Sequence, residues 1–124
     1  MKLKIISFGS NNEYIELAEK TVQSVKNLYS KTETQVFKPK DLSYVINNYA
    51  KSHNKGYGYW IWKPYIIKEA LSTMNENDIL LYVDGRSGLR KTGKTIKWLD
   101  NLILENKFDI ASWQTIHKEM SWTN

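Results

Sequence analysis

Five consecutive apolar residues, Ile79-Leu80-Leu81-Tyr82-Val83, followed at once by Asp84-Gly85, constrain the fold more than any other part of the chain. A strand with one face in water alternates polar and apolar side chains, whereas a run with no polar position needs cover on both faces. A parallel sheet flanked by helices gives that cover. The run therefore predicts the central strand of an α/β sheet.

The remainder of the chain agrees with that architecture. Lys2 to Phe8, carrying Leu3, Ile5, Ile6 and Phe8, predicts a first strand ended by the turn formers Gly9-Ser10-Asn11-Asn12. From Glu13 to about Tyr29, the residues Ile15, Ala18, Val22, Val25 and Tyr29 recur at spacings of three and four. They predict an amphipathic helix with its N-cap among Ser10 to Asn12. Glu33 to Phe37 predicts a short second strand stopped at Lys38-Pro39, and Asp41 the cap of a helix running to about Lys51. Pro64 predicts the first residue of a further helix, buried along Ile67, Ala70, Leu71 and Met74 and ended by Asn75-Glu76-Asn77. Asp84 to Gly93 reads as a basic loop, Lys94 to Glu105 as a helix and Phe108 to Trp113 as a fourth strand. Strands alternating with helices over 124 residues, without repeats or linkers, point to a single α/β domain.

Composition narrows the chemistry. The absence of cysteine excludes disulfide scaffolds, thiolate zinc sites and cysteine nucleophiles, and it predicts a reducing, cytoplasmic setting. No apolar run approaches the ~20 residues of a spanning helix, and Met1-Lys2-Leu3-Lys4 leads directly into a strand. Neither a membrane span nor a signal peptide is expected. The net charge of +5 points to anionic partners. His53 and His117 have no neighbours at metal-ligand spacing and read as surface residues. Ser7, Ser10 and Ser87 lack a nucleophile elbow, and no phosphate-loop or dinucleotide fingerprint occurs.

In open α/β sheets, ligands gather at the carboxyl ends of the strands, where helix N-termini face inward. Three segments are expected to meet there: Phe8 to Asn12, Asp84 to Gly88, and Lys55 to Pro64. Asp84, at the rim of the sheet, suits a divalent cation or a sugar hydroxyl, and equally a tight turn with Gly85. Arg86, with Arg90, Lys91 and Lys94, suits either a diphosphate or a solvated face. The third segment holds Tyr57, Tyr59, Trp60 and Trp62 between two lysines. Its glycines permit close backbone approach, and its rings can stack on a base or a sugar; for Trp60 and Trp62 the alternative is core packing. Lys63, just before Pro64, faces the positive end of a helix dipole, a conflict of up to ~1 kcal/mol that a bound anion relieves. Lys55 to Trp62 also nearly matches the RNA-recognition consensus of basic, Gly, aromatic, Gly, aromatic, apolar, any, aromatic. Leu3 to Phe8 offers no companion motif, so a single-stranded RNA-binding module is the more distant alternative.

The stretch Gly56-Tyr57-Gly58-Tyr59-Trp60-Ile61-Trp62-Lys63-Pro64-Tyr65, followed by Asp78-Ile79-Leu80-Leu81-Tyr82-Val83-Asp84, resembles a group of glycosyltransferases of bacteria and large DNA viruses. Ser7-Phe8-Gly9 and Ser121-Trp122-Thr123 share in the resemblance. It implies a GT-A-like fold, a three-layer sheet with helices on both faces, shortened at the C-terminal side. The implied activity is transfer of a sugar from a nucleotide-sugar donor to a carbohydrate acceptor. The implied donor site has Phe8 and Gly9 near the nucleotide, Tyr57, Tyr59, Trp60, Trp62 and Lys63 in the signature, and Asp84 at a metal-binding strand end. Gly85-Arg86 stands where the pattern has its second carboxylate, so an Mn2+ or Mg2+ ion at Asp84 lacks that ligand and Arg86 becomes a candidate phosphate contact. No catalytic base is implied. The short length leaves open a non-catalytic nucleotide-sugar-binding remnant, or a module that works with a partner chain or as a homo-oligomer. Nucleic acid and membrane are not the expected partners.

Overall fold

In the computed structural model, which describes residues 2–27, 32–85, 97, 100 and 101, three strands form one parallel sheet. They are β1 (Leu3–Phe8), β2 (Thr32–Phe37) and β3 (Ile79–Tyr82), in the order β2-β1-β3. Leu3 lies opposite Thr32 on one side and Ile79 on the other, and the pairing runs without a slip to Phe8 with Phe37 and Ile6 with Tyr82. The predicted centre of the sheet is thus corrected. Among the described residues the central strand is β1, all six of whose residues are buried, while Ile79, Leu80 and Tyr82 of β3 keep partial exposure. Lys4 disguises β1 as a half-exposed strand. Its aliphatic stem is buried and its ammonium reaches out to Thr73 Oγ1 at 3.4 Å, so a charged residue occupies a covered position.

Side chains alternate along β1 and so build two cores. On one face Leu3 and Ile5 join Leu81 and Val83 beneath Val22 and Val25 of α1 (Asn12–Lys26). On the other, Ile6, Phe8 and Phe37 pack against Ile46 of α2 (Tyr44–Ser52) and Trp62, Ile66 and Ala70 of α4 (Trp62–Leu71). The chain moves outward from β1 to β2 and then back across β1 to β3. Crossovers of the usual right hand then place their helices on opposite faces.

Local chemistry sets the element ends. Asn11 caps α1, its side-chain oxygen accepting from the Tyr14 N–H at 2.9 Å. The helix stops at Lys26, short of the predicted Tyr29, which lies outside the described residues. For α2 the expected cap moves from Asp41 to Ser43, whose Oγ accepts from the Ile46 N–H at 3.3 Å. Asp41 closes a preceding 3-10 turn, Pro39–Asp41, by accepting from the Lys38 N–H at 2.8 Å.

The helix predicted to open at Pro64 opens at Trp62. Its buried stripe is Trp62, Ile66 and Ala70; of the expected residues only Ala70 is fully covered, and Leu71 is 53 % exposed. Trp62 sets that phase, because a side chain anchored in the core brings the positions four and eight residues later beneath it. Residues 97, 100 and 101 are helical, within the span predicted from Lys94 to Glu105. The predicted fourth strand, the Ser121-Trp122-Thr123 motif and Arg86 lie outside the described residues. Among the described residues no helix is long and apolar enough to cross a membrane.

Candidate functional site

The strand order reverses at β1, and a cleft of about 550 Å³ opens at the carboxyl ends of β1 and β3. This is the switch point at which open α/β sheets bind ligands. The three segments singled out in the sequence converge here. Phe8 and Ser10 come from the end of β1, and Tyr82, Asp84 and Gly85 from the end of β3. Gly56, Tyr57, Trp60 and Trp62 come from the aromatic stretch, and Asn54 from just before it. Tyr14 and Leu17, on the first turns of α1, close the wall.

Of the residues proposed from sequence, the cleft therefore gathers Phe8, Tyr57, Trp60, Trp62 and Asp84, while Gly9, Tyr59 and Lys63 are not among its lining. Gly9 is buried beneath α1: a Cβ there would stand 2.4 Å from the Ile15 nitrogen, so only glycine lets the first helical turn close over the strand end. Its N–H donates to the Phe37 carbonyl at 3.0 Å. Sequence reasoning missed Tyr14, Leu17, Asn54 and Tyr82 as lining residues. Tyr14 and Leu17 had a signal, being three apart and flanking the buried stripe of α1. Tyr82 was absorbed into an apolar run whose last aromatic carries a hydroxyl.

The aromatic stretch has a backbone that no sequence pattern announced. Residues 56–60 all have positive φ: Gly56 +59°, Tyr57 +50°, Gly58 +84°, Tyr59 +52° and Trp60 +60°. The segment α3 (Gly56–Tyr59) is one left-handed turn, closed by the Tyr59 N–H to the Lys55 carbonyl at 2.8 Å and the Trp60 N–H to the Gly56 carbonyl at 3.0 Å. Left-handed backbone costs a residue with a Cβ roughly 1–2 kcal/mol, and three such residues sit here. Side chains and neighbouring carbonyls hold the turn against that cost. Gly58 donates to the His53 carbonyl at 2.7 Å, the Tyr57 hydroxyl to Asn47 Oδ1 at 2.9 Å, and the Trp62 indole N–H to the Gly56 carbonyl at 2.9 Å. Strain of this kind concentrates at ligand sites, where it fixes side-chain directions that relaxed backbone does not reach. The turn also removes the support for the RNA-recognition match, because that consensus places its rings across a strand.

The two tryptophans have separate roles. Trp62 is buried and stacks on Phe8 with ring centroids 4.1 Å apart and planes 23° from parallel, forming the floor of the cleft. Trp60 is 48 % exposed at its wall, with its indole lying over the Cα of Gly56, where a Cβ would come within 2.4 Å of the ring. Lys63, at the positive end of α4, places its ammonium 4.9 Å from the Tyr82 ring centroid and 5.9 Å from that of Trp62. Aromatic faces thus stand where the sequence called for an anion, and their negative quadrupoles offset the same conflict. Burial pushes the Tyr82 hydroxyl well above its ordinary range, and the Asp84 carboxylate pushes the same way. Like any phenol, Tyr82 is protonated at neutral pH and its hydroxyl can donate a hydrogen bond. Gly85 ties the Asp84 loop to α1, its carbonyl accepting from Thr21 Oγ1 at 2.9 Å.

Asp84 is the one carboxylate among the described lining residues, and no group of three or more metal-ligating side chains occurs among the described residues. A single carboxylate fits a Mg2+-type ion that brings phosphate oxygens and water as its other ligands; it does not fit a cage built by protein alone. No family model, curated protein or solved structure matches the chain.

Proposed function

We propose that the cleft binds a nucleotide-sugar donor and that the chain transfers the sugar to a carbohydrate acceptor, its three layers being the donor half of a GT-A-like domain. The observation that carries this reading is the meeting of a ring-bearing left-handed turn with Asp84 at the strand-order switch. A nucleoside offers a flat base, a diphosphate and hydroxyls. Trp60 and Tyr57 stack on the base, Ser10 and the protonated Tyr82 donate hydrogen bonds, and Trp62 on Phe8 keeps the floor dry and rigid. The volume lies within the ~300–1,000 Å³ of small-molecule sites.

Sugar transfer requires that the growing charge on the leaving diphosphate be stabilised. Asp84 would hold a divalent cation, which when bound would supply Lewis-acid stabilisation of that charge. Asp84 then serves to hold and orient, and Arg86, two residues on in the chain, is the cation proposed to meet phosphate. The second reading, a binding domain without turnover, is favoured by one observation: beyond Asp84 the described lining contains no carboxylate or histidine to act as base.

Calorimetric titration with UDP-glucose, GDP-mannose and a short RNA, each with and without Mn2+, tests the proposal. We expect binding of one sugar nucleotide, strengthened by Mn2+, and a loss of about tenfold in Trp60→Ala, as removal of a base-stacking ring entails. Tight RNA binding that falls steeply with salt, with no sugar-nucleotide binding, overturns it. Release of free nucleoside diphosphate in the presence of acceptor separates the enzyme from the binding domain.

A further inference from the structure

Just outside the cleft, three rings form a cluster that the donor site does not use. Tyr49 and His53, one turn apart on α2 and its C-cap, stack with centroids 4.1 Å apart and planes 14° from parallel. The Tyr59 ring, from the left-handed turn, leans against both, 5.4 Å from His53 and 6.4 Å from Tyr49. The His53 Nδ1 lies 3.1 Å from the Tyr49 carbonyl, which fixes the imidazole plane. The rings contact one another without being covered: Tyr49 is 37 % and Tyr59 51 % exposed. Neither phenol hydroxyl has a hydrogen-bond partner among the described residues. None of the three lines the cleft, yet Asn54, next to His53, and Trp60, next to Tyr59, both do. The cluster is therefore the outer bank of the same rim.

We propose that Tyr49, His53 and Tyr59 form a carbohydrate-stacking subsite that receives a pyranose ring of the acceptor; this rests on the sugar-transfer reading of the cleft. A pyranose presents an apolar C–H face to an aromatic ring and a hydroxyl edge to polar groups, and both features are present here. The exposed rings of Tyr49 and Tyr59 supply the first, and the exposed amide of Asn54 supplies the second. A proline-rich peptide needs a slot between neighbouring aromatics, and the closed stack of Tyr49 on His53 leaves none. Location gives the subsite its use. A saccharide held on the outer bank has one residue on the rings and the next at the cleft rim beside Asn54, from which it can extend into the cleft. Tyr59 and Trp60 divide the two substrates, because consecutive residues on a helical turn point about 100° apart.

The test follows the His53 imidazole by proton NMR during titration with maltotetraose, cellotetraose, chitotetraose and mannotetraose, with UDP as the donor-side probe. His53→Gln assigns the signal. At least one saccharide is expected to shift the His53 resonances. Tyr59→Asn, which removes the ring and tolerates positive φ, is expected to weaken that saccharide about tenfold, the loss of about one stacking contact. Tyr59→Phe is expected to retain it, and Tyr49→Leu to weaken it independently. UDP affinity is expected to be unchanged in Tyr59→Asn. If UDP binds and no saccharide shifts His53, the subsite is overturned while the donor reading stands. If a saccharide binds and neither UDP nor any sugar nucleotide does, the donor reading fails instead. A shift that persists in Tyr59→Asn and Tyr49→Leu, or a response to a polyproline peptide alone, also overturns the proposal.

Discussion

The two tryptophans of the signature are separated by a single residue and have opposite fates, and the backbone between them is the cause. In an ordinary helix or strand the identity of the side chains predicts only that both prefer cover. Five left-handed residues followed by a right-handed helix instead send Trp62 onto Phe8 and leave Trp60 half in water. Their substitutions should separate accordingly. Trp62→Ala is expected to cost about 3–5 kcal/mol of folding stability, the loss of a large buried ring, measured by urea denaturation. Trp60→Ala is expected to leave stability nearly unchanged while sugar-nucleotide affinity falls. Gly58→Ala is expected to cost about 1–2 kcal/mol from the positive φ alone. Its Cβ would also stand 3.3 Å from the Tyr49 ring, so the His53 and Tyr49 signals should move with it. Wild-type stability for Gly58→Ala would show that the turn is not left-handed in solution.

At the scale of elements, strands β1 and β2 and helix α1 were legible to within a few residues, because periodicity and turn formers are local. Helix ends were less so. Asp41 and Ser43 are both good caps, and composition does not choose between them. The choice depends on Pro39, which starts a 3-10 turn that consumes Asp41 and passes the capping role to Ser43. Ser43→Ala is expected to cost about 1 kcal/mol in thermal or urea unfolding, the usual value of an N-cap. An equal loss from Asp41→Ala with none from Ser43→Ala would reverse that assignment. The phase of α4 was missed for a related reason. Pro64 suits a first helical turn wherever it falls in it, and here the stacking of Trp62 on Phe8 pulls the start two residues earlier. Lys63, expected at the site from sequence but absent from the cleft lining, then finds its compensation in Tyr82, a partner nineteen positions away that no local pattern names.

For the whole molecule, the sheet order decides where the site is, and Asp78 helps hold that order. Its carboxylate accepts from the Asn75 N–H and the Lys2 N–H, both at 2.9 Å, clamping the start of β3 beside the start of β1. These bonds, Asn75 first, lower its pKa below the usual 3.8. A depressed carboxylate stabilises the fold above its unfolded pKa and loses that contribution as pH falls through the folded value. Asp78→Asn is therefore expected to be less stable than wild type at neutral pH and to converge with it below about pH 4. Parallel curves across that range would show that Asp78 carries no linkage.

What the sequence by itself determined is the class of fold and the segments that matter: apolar runs with helical stretches between them demand a covered parallel sheet, and chemistry-bearing residues fall just after its strands. Tertiary structure alone decided that β1 and not β3 is the covered centre among the described residues, since burial on two faces depends on neighbours in space and Lys4 hides it. It alone decided the left-handed turn as well. Each residue there is locally disfavoured, and only the surrounding hydrogen bonds and ring contacts, drawn from α2 and Trp62, make that backbone the lowest in energy.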